Sequence, residues 1–215
     1  MQKMNILTVS CGILAANCYI IEDGKDAVII DPGYTEDGIF DYILNNPKKI
    51  KYILLTHGHF DHIFAANAVK EATGADIVIG EGDAFALVND EFNLSEGFGS
   101  IYGSIGSEPK GEITVSDGDV ITVGKMKFTV ISTPGHSPGG VCYLSDGVLF
   151  SGDTLFAGTV GRTDFPHSSQ GALLESLEKL KKLDDNIAVY PGHGEKTTIK
   201  AEKQNNPFLN YQGGF

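Results

Sequence analysis

Cysteine is scarce in this chain of 215 residues, and the few cysteines form no recognisable pairing pattern. The three thiols, Cys11, Cys18 and Cys142, are an odd number without a CxxC spacing. A secreted fold held by disulfides needs a paired, regularly spaced set, so the count favours reduced, half-buried thiols. We therefore expect a cytoplasmic protein without a disulfide framework.

Positive charge and long apolar runs are scarce as well. Lys and Arg number 16 against 28 Asp and Glu, which gives a formal net charge of −12. Non-specific nucleic-acid binding requires a basic face, so we expect no nucleic-acid partner. No apolar run approaches the length of a membrane span, so we expect no membrane partner either. The length suits a single domain over residues 1–215 with a full hydrophobic core.

Histidine is concentrated in one short segment. The chain has six histidines, and the segment from His57 to His62 reads His-Gly-His-Phe-Asp-His. Side chains alternate along an extended strand, so His57 and His59 would point the same way and could bind one ion. Asp61 and His62 follow after the chain turns and could face a second ion. A chance cluster of surface histidines is the alternative, and the neighbouring aspartate argues against it.

Four apolar strands end in a residue that can bind metal, and this regularity is the strongest pattern in the sequence. The pairs of strand and ligand are Tyr52–Thr56 with His57, Phe128–Thr133 with His136, Val148–Gly152 with Asp153, and Ile187–Tyr190 with His193. A Pro-Gly-His tripeptide closes two of these strands, and a Pro-Gly turn alone would be ordinary. Five of the six histidines nevertheless follow strand ends. The sixth, His167, is predicted to be a solvated loop residue.

The seven candidate ligands divide into two sites. The first site would contain His57, His59 and His136, and the second would contain Asp61, His62 and His193. Asp153 could bridge both sites through its two oxygens. Imidazole and carboxylate ligands suit zinc, iron or manganese, and we predict two divalent ions, with zinc the first choice. Two cations about 3.5–4 Å apart would generate a metal-bridging hydroxide at neutral pH, which predicts hydrolytic chemistry.

Strands and helices alternate in two similar halves. The predicted strands are Asn5–Val9, Cys18–Glu22, Ala27–Asp31, Tyr52–Thr56, Asp76–Ile79, Val120–Val123, Lys127–Ser132, Gly140–Leu144, Val148–Ser151 and Ile187–Tyr190. The predicted helices are Glu36–Leu44, Ile63–Thr73 and Gly171–Leu183. Two β-rich halves suggest two packed sheets with helices outside. Between them, the glycine- and aromatic-rich segment Asn89–Gly111 is either a mobile flap over a pocket or an ordinary surface loop.

With these residues in place, the chain resembles the metallo-β-lactamase-fold hydrolases from its N-terminal strands through His193. The segments that carry the resemblance are His57–His62, Thr133–His136, Gly152–Phe156, Gly161–Asp164 and Pro191–Gly194. The Gly-Asp-Thr-Leu-Phe and Gly-Arg-Thr-Asp segments look like the glyoxalase II group, the hydroxyacylglutathione hydrolases. The resemblance implies an α+β fold, a four-layer αββα sandwich with a dinuclear site at one edge of the sheets.

The resemblance also implies a reaction, the hydrolysis of a small-molecule thioester such as S-lactoylglutathione or a related hydroxyacyl thioester. Asp61 would be catalytic, because it can hold the attacking hydroxide by a hydrogen bond while it binds its ion. Thiolates are good leaving groups, so a strong general acid is not required. Two-domain members of the group carry a helical C-terminal domain that helps bind glutathione. Only 22 residues follow His193 here (215 − 193), so we expect no such domain.

Four basic residues are candidates for substrate binding. Arg162 could contact substrate, although an ion pair with Asp164 that locks the loop is the simpler interpretation. Lys196, Lys200 and Lys203 could meet the carboxylates of a glutathione moiety or lie solvated on a helix face.

Two further functions remain open. A persulfide dioxygenase of similar sequence would use one iron held by two histidines and an aspartate. A non-catalytic metal-binding module would not need Asp61.

Overall fold

Two six-stranded sheets and one two-stranded sheet organise residues 4–96 and 113–210, which are the residues described in this computed structural model. Strands β1 to β6 form the first large sheet and are Asn5–Cys11, Ala16–Asp23, Asp26–Ile30, Lys49–Leu54, Asp76–Gly80 and Ile113–Val115. Hairpins pair β1, β2 and β3 antiparallel, whereas β3 to β6 run parallel. Parallel neighbours require crossover connections, and helices supply the first two of these.

The second large sheet has the strand order β14-β13-β10-β9-β8-β7. Its strands β7, β8, β9, β10, β13 and β14 are Val120–Val123, Met126–Ser132, Val141–Ser145, Val148–Gly152, Ala188–Pro191 and Thr197–Thr198. The small sheet is a hairpin of β11, Leu155–Phe156, and β12, Thr159–Val160. Helices α1 to α5 are Asp37–Asn45, Phe60–Ile63, Ala66–Thr73, Gln170–Leu180 and Ile199–Asn205, and Glu81–Val88 is a 3-10 helix.

Three apolar clusters show how the layers stack. One cluster lies between the two large sheets and contains the buried rings of Phe128, Tyr143 and Phe150. A second packs α1 to α3 against the first sheet, and a third packs α4 and α5 against the second sheet through residues such as Leu173 and Leu177. The order of layers is therefore helix, sheet, sheet, helix, and the predicted αββα sandwich is confirmed.

One predicted helix is wrong in its bounds and continuity. In place of Ile63–Thr73, α2 begins at Phe60 and ends after one turn, and α3 begins at Ala66. The physical reason is a tertiary contact: the N–H of Ala65 donates to the carbonyl of Pro32, 2.9 Å away, instead of to a helical carbonyl. The early start places Asp61 and His62 on the first turn of α2.

The remaining differences concern short elements. The 3-10 helix and α5 were not among the predicted helices. Strands β6, β11, β12 and β14 were not predicted either, because strands of two or three residues carry too little periodicity to recognise. Of the segment Asn89–Gly111, for which a flap and an ordinary surface loop were both open, only 89–96 falls within the described residues, and this part is a series of turns. Among the helices of the described ranges, none has the length and apolar character that a membrane crossing requires.

Glu22, at the end of β2, ties α1 and the following loop to the first sheet. Its carboxylate accepts from Tyr42 Oη at 2.7 Å and from Asn5 Nδ2 at 2.6 Å, and it pairs with Lys48 Nζ at 2.8 Å. Partial burial raises the pKa of Glu22, but the hydrogen bonds from Lys48, Tyr42 and Asn5 outweigh it and lower the pKa to about 2.

We expect Glu22→Gln to lower the free energy of unfolding at pH 7 by about 1 kcal/mol, because solvent limits the strength of a pair near the surface. A depressed pKa stabilises the fold above the ordinary carboxyl pKa, and this contribution is lost as pH falls toward the folded-state value. The difference in free energy of unfolding between Glu22→Gln and the parent chain, measured by urea denaturation, should therefore narrow as pH falls below 5. The exposed Glu71 provides the control, Glu71→Gln. A difference that stays constant with pH would contradict the ion pair.

Candidate metal centre

The loops after β4, β8, β10 and β13 meet at one edge of the sandwich, and backbone hydrogen bonds hold them together. The N–H of Val141 donates to the carbonyl of Thr56 at 2.8 Å, and the N–H of Gly192 donates to Gly152 at 2.8 Å. The N–H of Asn17 in β2 donates to the carbonyl of Gly192 at 2.7 Å, which joins the first sheet to the last of these loops. Each loop carries at least one predicted ligand.

The first triad consists of His57, His59 and His136, all buried. One nitrogen from each ring lies within 4.8 Å of the other two, and His59 Nδ1 is 2.9 Å from His136 Nε2. His136 Nδ1 lies 2.8 Å from the carbonyl of Arg162. Because a carbonyl only accepts, Nδ1 carries the proton and Nε2 keeps a lone pair for a metal ion.

The second triad consists of Asp61, His62 and His193. His193 Nε2 lies 3.3 Å from Asp61 Oδ2 and 3.3 Å from His62 Nε2. His193 Nδ1 donates to the carbonyl of Leu14, 3.1 Å away, so Nε2 is the ring nitrogen that faces Asp61 and would bind a metal ion after it loses its proton. His193 is the most open of the three, with 29% of its side chain exposed against 13% for Asp61 and 0% for His62.

Asp153 lies between the two triads, as expected of a bridging ligand. Its Oδ2 is 3.5 Å from His136 Nε2 in the first triad and 3.6 Å from His193 Nε2 in the second. Its Oδ1 is 3.4 Å from His62 Nε2. The structure thus brings all seven predicted ligands to one place.

Two buried polar atoms test whether these residues fit metal ions. His57 Nε2 and Asp153 Oδ1 are buried and have no hydrogen-bond partner. A buried polar atom without a partner is costly, and such atoms are rare in folded proteins. One belongs to the first triad and the other to the shared carboxylate, and both are lone-pair donors. Divalent cations would satisfy both, so the site fits a dinuclear imidazole and carboxylate centre.

Electrostatics differ between the two triads. Burial and then the neighbouring imidazoles hold the pKa of His57 well below its ordinary value. Burial and then His136 lower the pKa of His59 to about 3. These two rings are therefore neutral at physiological pH, which is the form that binds metal.

In the second triad, three carboxylates surround His62. Burial lowers the pKa of His62, but the charges of Asp153 and Asp61 and the hydrogen bond that His62 donates to Asp31 outweigh burial and raise the pKa to about 10. Burial raises the pKa of Asp61, but the charge of His62 and the hydrogen bond from His193 have the larger effect. The pKa of Asp61 therefore lies below its ordinary value. The second triad therefore concentrates negative charge, which attracts a cation.

Asp31 is a buried site residue that was predicted only as the end of a strand. It accepts from His62 Nδ1 at 3.0 Å and from Thr56 Oγ1 at 2.6 Å. Because the Thr56 hydroxyl donates to Asp31, its oxygen accepts from His57 Nδ1, 3.1 Å away. One carboxylate therefore orients a histidine of each triad. The signal was present, since Asp31 follows an apolar strand just as Asp153 does.

Asp83, in the 3-10 helix, is a second buried carboxylate that was not predicted. Its Oδ2 accepts from the N–H of Gly58 at 2.9 Å, and its Oδ1 accepts from the N–H of Gly139 at 2.5 Å. These amides lie in the loops that carry all three histidines of the first triad. Neither glycine has room for a Cβ, because Gly58 packs on Ala86 and Gly139 on the backbone of the 3-10 helix.

We expect Asp83→Asn to weaken metal binding at the first triad ten- to hundred-fold, an effect typical of residues that orient ligands. The amide NH₂ would face one backbone N–H and leave it buried and unpaired, at a cost of about 1–3 kcal/mol. Metal titration and thermal unfolding measure the two effects, with the exposed Asp90→Asn as control. Unchanged metal affinity would show that Asp83 does not position the triad.

Of the four predicted substrate-binding residues, one lines the cavity over the centre and three lie elsewhere. Arg162 lines the cavity over the centre, and it also forms the predicted ion pair with Asp164. The lysines lie elsewhere: Lys203 Nζ donates to the carbonyl of Leu183 and pairs with Asp185. Lys196 lines a different cavity, and Lys200 is exposed on α5; neither is among the described residues that line the cavity over the centre.

His167 lies at the surface but contacts an aromatic ring. It is exposed, as predicted, but its ring stacks on Phe92 with centroids 4.0 Å apart and planes 12° apart. The stack joins the segment 89–96 to the loop that carries Arg162.

The sequence was compared with protein-family models and with known proteins. The model of the Metallo-beta-lactamase superfamily matches residues 11–193. An uncharacterised protein of Mycobacterium leprae is 41% identical over 96% of this chain and 99% of its own. The hydroxyacylglutathione hydrolase GloC of Haemophilus influenzae is 36% identical over 96% of this chain and 99% of its own.

Two solved structures are similar over nearly their full length. The BLEG-1 B3 metallo-beta-lactamase has a TM-score of 0.88 and 33% identity, covering 96% of this chain and 100% of that one. TTHA1623, solved in a di-iron-bound form, has a TM-score of 0.81 and 33% identity, covering 94% of this chain and 100% of that one.

Proposed function

The chain belongs to the metallo-beta-lactamase superfamily, and on that premise we propose that it is a dinuclear metal-dependent hydrolase of thioesters. A hydroxyacyl thioester such as S-lactoylglutathione is the proposed substrate. The observation that carries the proposal is the pair of triads that share Asp153. Similarity to the hydroxyacylglutathione hydrolase GloC supports the choice of a thioester.

The residues present divide the work of holding two ions. His57, His59 and His136 would hold one ion, Asp61, His62 and His193 the other, and Asp153 both. When bound, two divalent cations would lower the pKa of a shared water and polarise the substrate carbonyl. We propose zinc, and the same donors suit iron or manganese. The three buried, free cysteines support a cytoplasmic setting.

Asp61 has a role besides ligation. Its lowered pKa keeps the carboxylate ionised at neutral pH, so it accepts a hydrogen bond from the attacking water and orients it toward the cavity. An ionised Asp61 cannot protonate the leaving group. A thiolate leaves without such help, whereas an alkoxide or amine needs a proton, and this difference favours thioesters over esters and amides.

Three other activities are less well supported. A persulfide dioxygenase with one iron needs three protein ligands, whereas seven converge here. A non-catalytic metal-binding module would not need an open cavity above the ligands. β-Lactam hydrolysis is suggested by the likeness to BLEG-1, but a β-lactam is an amide, and its leaving nitrogen needs a proton that an ionised Asp61 cannot supply.

A panel of substrates tests the proposal. The zinc-loaded chain is incubated with S-lactoylglutathione and with lactoyl thioesters of coenzyme A and N-acetylcysteamine, and thiol release is followed with a chromogenic disulfide. We expect release from at least one thioester. No release from any of them, with two zinc ions bound per chain, would refute the proposal. Oxygen uptake on glutathione persulfide by the iron-loaded chain, or opening of a chromogenic β-lactam by the zinc-loaded chain, would then identify the alternative.

A further inference from the structure

A cavity of about 510 Å³ lies directly over the metal centre, and its walls are mostly apolar. The walls come from four separate places: the turn between β1 and β2, the segment after the 3-10 helix, the β11–β12 hairpin and the loop that follows it. Their apolar residues are Leu14, Leu94, Phe156, Val160 and Phe165. Carboxylates and imidazoles of the centre form the floor.

Leu94 shows that this wall is held in place. Its backbone has φ +65°, a left-handed conformation that a residue with a bulky side chain rarely adopts. Such strain persists only where the surroundings enforce it, and it concentrates at functional sites. The Leu94 side chain packs on the core beneath the first sheet and also lines the cavity. The stack of Phe92 on His167 ties the same segment to the loop of Phe165.

The described residues that form the walls carry little charge. Among the described residues that line the cavity, Arg162 is the only Lys or Arg. Its Nε and Nη2 each lie 2.6 Å from an oxygen of Asp164, a bidentate ion pair with no net charge. The guanidinium also lies over the ring of Phe165, 4.4 Å from its centroid. One edge and one face of the guanidinium are therefore already occupied.

From these observations we propose that the cavity binds an apolar acyl chain and that substrate selection does not depend on glutathione. This inference rests on the proposed thioester hydrolysis. Burial of hydrocarbon against the leucine and phenylalanine walls is favourable in proportion to the area removed from water. Glutathione carries two carboxylates and an ammonium, and charged groups require partners when they leave water. The described cavity offers only the engaged Arg162 to the carboxylates.

The test uses 2-hydroxyacyl thioesters that differ in one respect at a time. Lactoyl, 2-hydroxybutanoyl and 2-hydroxyhexanoyl thioesters of N-acetylcysteamine vary the hydrocarbon, and S-lactoylglutathione varies the thiol. We expect kcat/KM to rise roughly three- to four-fold for each added methylene. The two lactoyl thioesters should agree within about ten-fold. A flat or falling series, or a glutathione thioester preferred by more than about ten-fold, would overturn the inference.

A variant pair locates the effect. Leu94→Asn removes hydrocarbon from the wall, and Asn tolerates the left-handed backbone. We expect the dependence on chain length to flatten in this variant. Leu44→Asn, on α1 at a position 80% exposed, is the matched control and should keep the dependence. Equal slopes in both variants would show that Leu94 does not contact the chain and would count against the inference.

Binding separates this inference from the proposed function. The corresponding thioethers cannot be hydrolysed, and calorimetry measures their affinity for the zinc-loaded chain. Affinity that rises with chain length in the absence of any thioester turnover would refute the hydrolase and still support the apolar cavity. No thioether binding together with no turnover would overturn both. Turnover that does not depend on chain length would support thioester hydrolysis and overturn the proposal that the cavity binds an apolar acyl chain.

Discussion

Asp61→Asn is expected to reduce thioester hydrolysis roughly a thousand-fold, within the range lost when a positioned proton-handling group is removed. The amide is nearly the same size but carries no charge, and it binds a divalent cation poorly. It would also place an NH₂ donor 3.3 Å from His193 Nε2, where the carboxylate now lies. Both the second ion and the orientation of the attacking water depend on this one side chain.

The measurement combines kcat/KM from thiol release with metal content and a thermal unfolding curve. Asp41→Asn, at an exposed position on α1, is the matched control and should behave like the parent chain. Because Asp61 is in the first turn of a short helix and partly exposed, we expect the fold to persist. A variant that keeps two ions and full turnover would contradict the role assigned to Asp61.

Gly192→Ala is expected to weaken binding of both ions at least a hundred-fold, although the residue carries no ligand atom. A Cβ at this position would overlap Asp153 Oδ1 and would lie 2.8 Å from His62 Cε1. Asp153 is the carboxylate that both triads share, so its displacement disturbs both sites. Overpacking of this kind costs about 1–3 kcal/mol of stability. We expect metal affinity to fall a hundred-fold or more, beyond the ten- to hundred-fold effect of an outer-shell substitution.

Gly194→Ala is the matched control for this prediction. Gly194 lies on the other side of His193, and a methyl group at this position would meet nothing within 4 Å, but its φ is +74°. Alanine there introduces backbone strain of roughly 1 kcal/mol without touching the centre. Equal loss of zinc in the two variants, measured by titration with a chromogenic chelator, would mean that the methyl group at Gly192 does not act through Asp153.

Much of the centre could be predicted because its ligands are chemically distinctive. Histidines are few, and those at 57, 59, 62, 136 and 193 follow apolar runs that end at one edge of the sheets. A strand end is a local property of the sequence. Strands and helices of ordinary length could be predicted for the same reason, because the hydrophobic periodicity of each is visible within a single element.

What could not be predicted depends on contacts distant in the chain. Asp83 binds the amide of Gly139, 56 residues away, and nothing near Asp83 in the sequence indicates that partner. The break between α2 and α3 arises from the carbonyl of Pro32. Lys203 was a candidate either for substrate contact or for a solvated helix face, and its ion pair with Asp185, 18 residues away, was not predicted.

The most direct test of the shared centre is a titration of the chelator-treated chain with zinc, followed by thiol release from a thioester that it hydrolyses. Two triads joined by Asp153 predict that activity reaches its maximum at two zinc ions per chain. Mass spectrometry of the intact protein under native conditions counts the ions at each point. Full activity at one ion per chain, with no further gain from the second, would contradict the dinuclear mechanism.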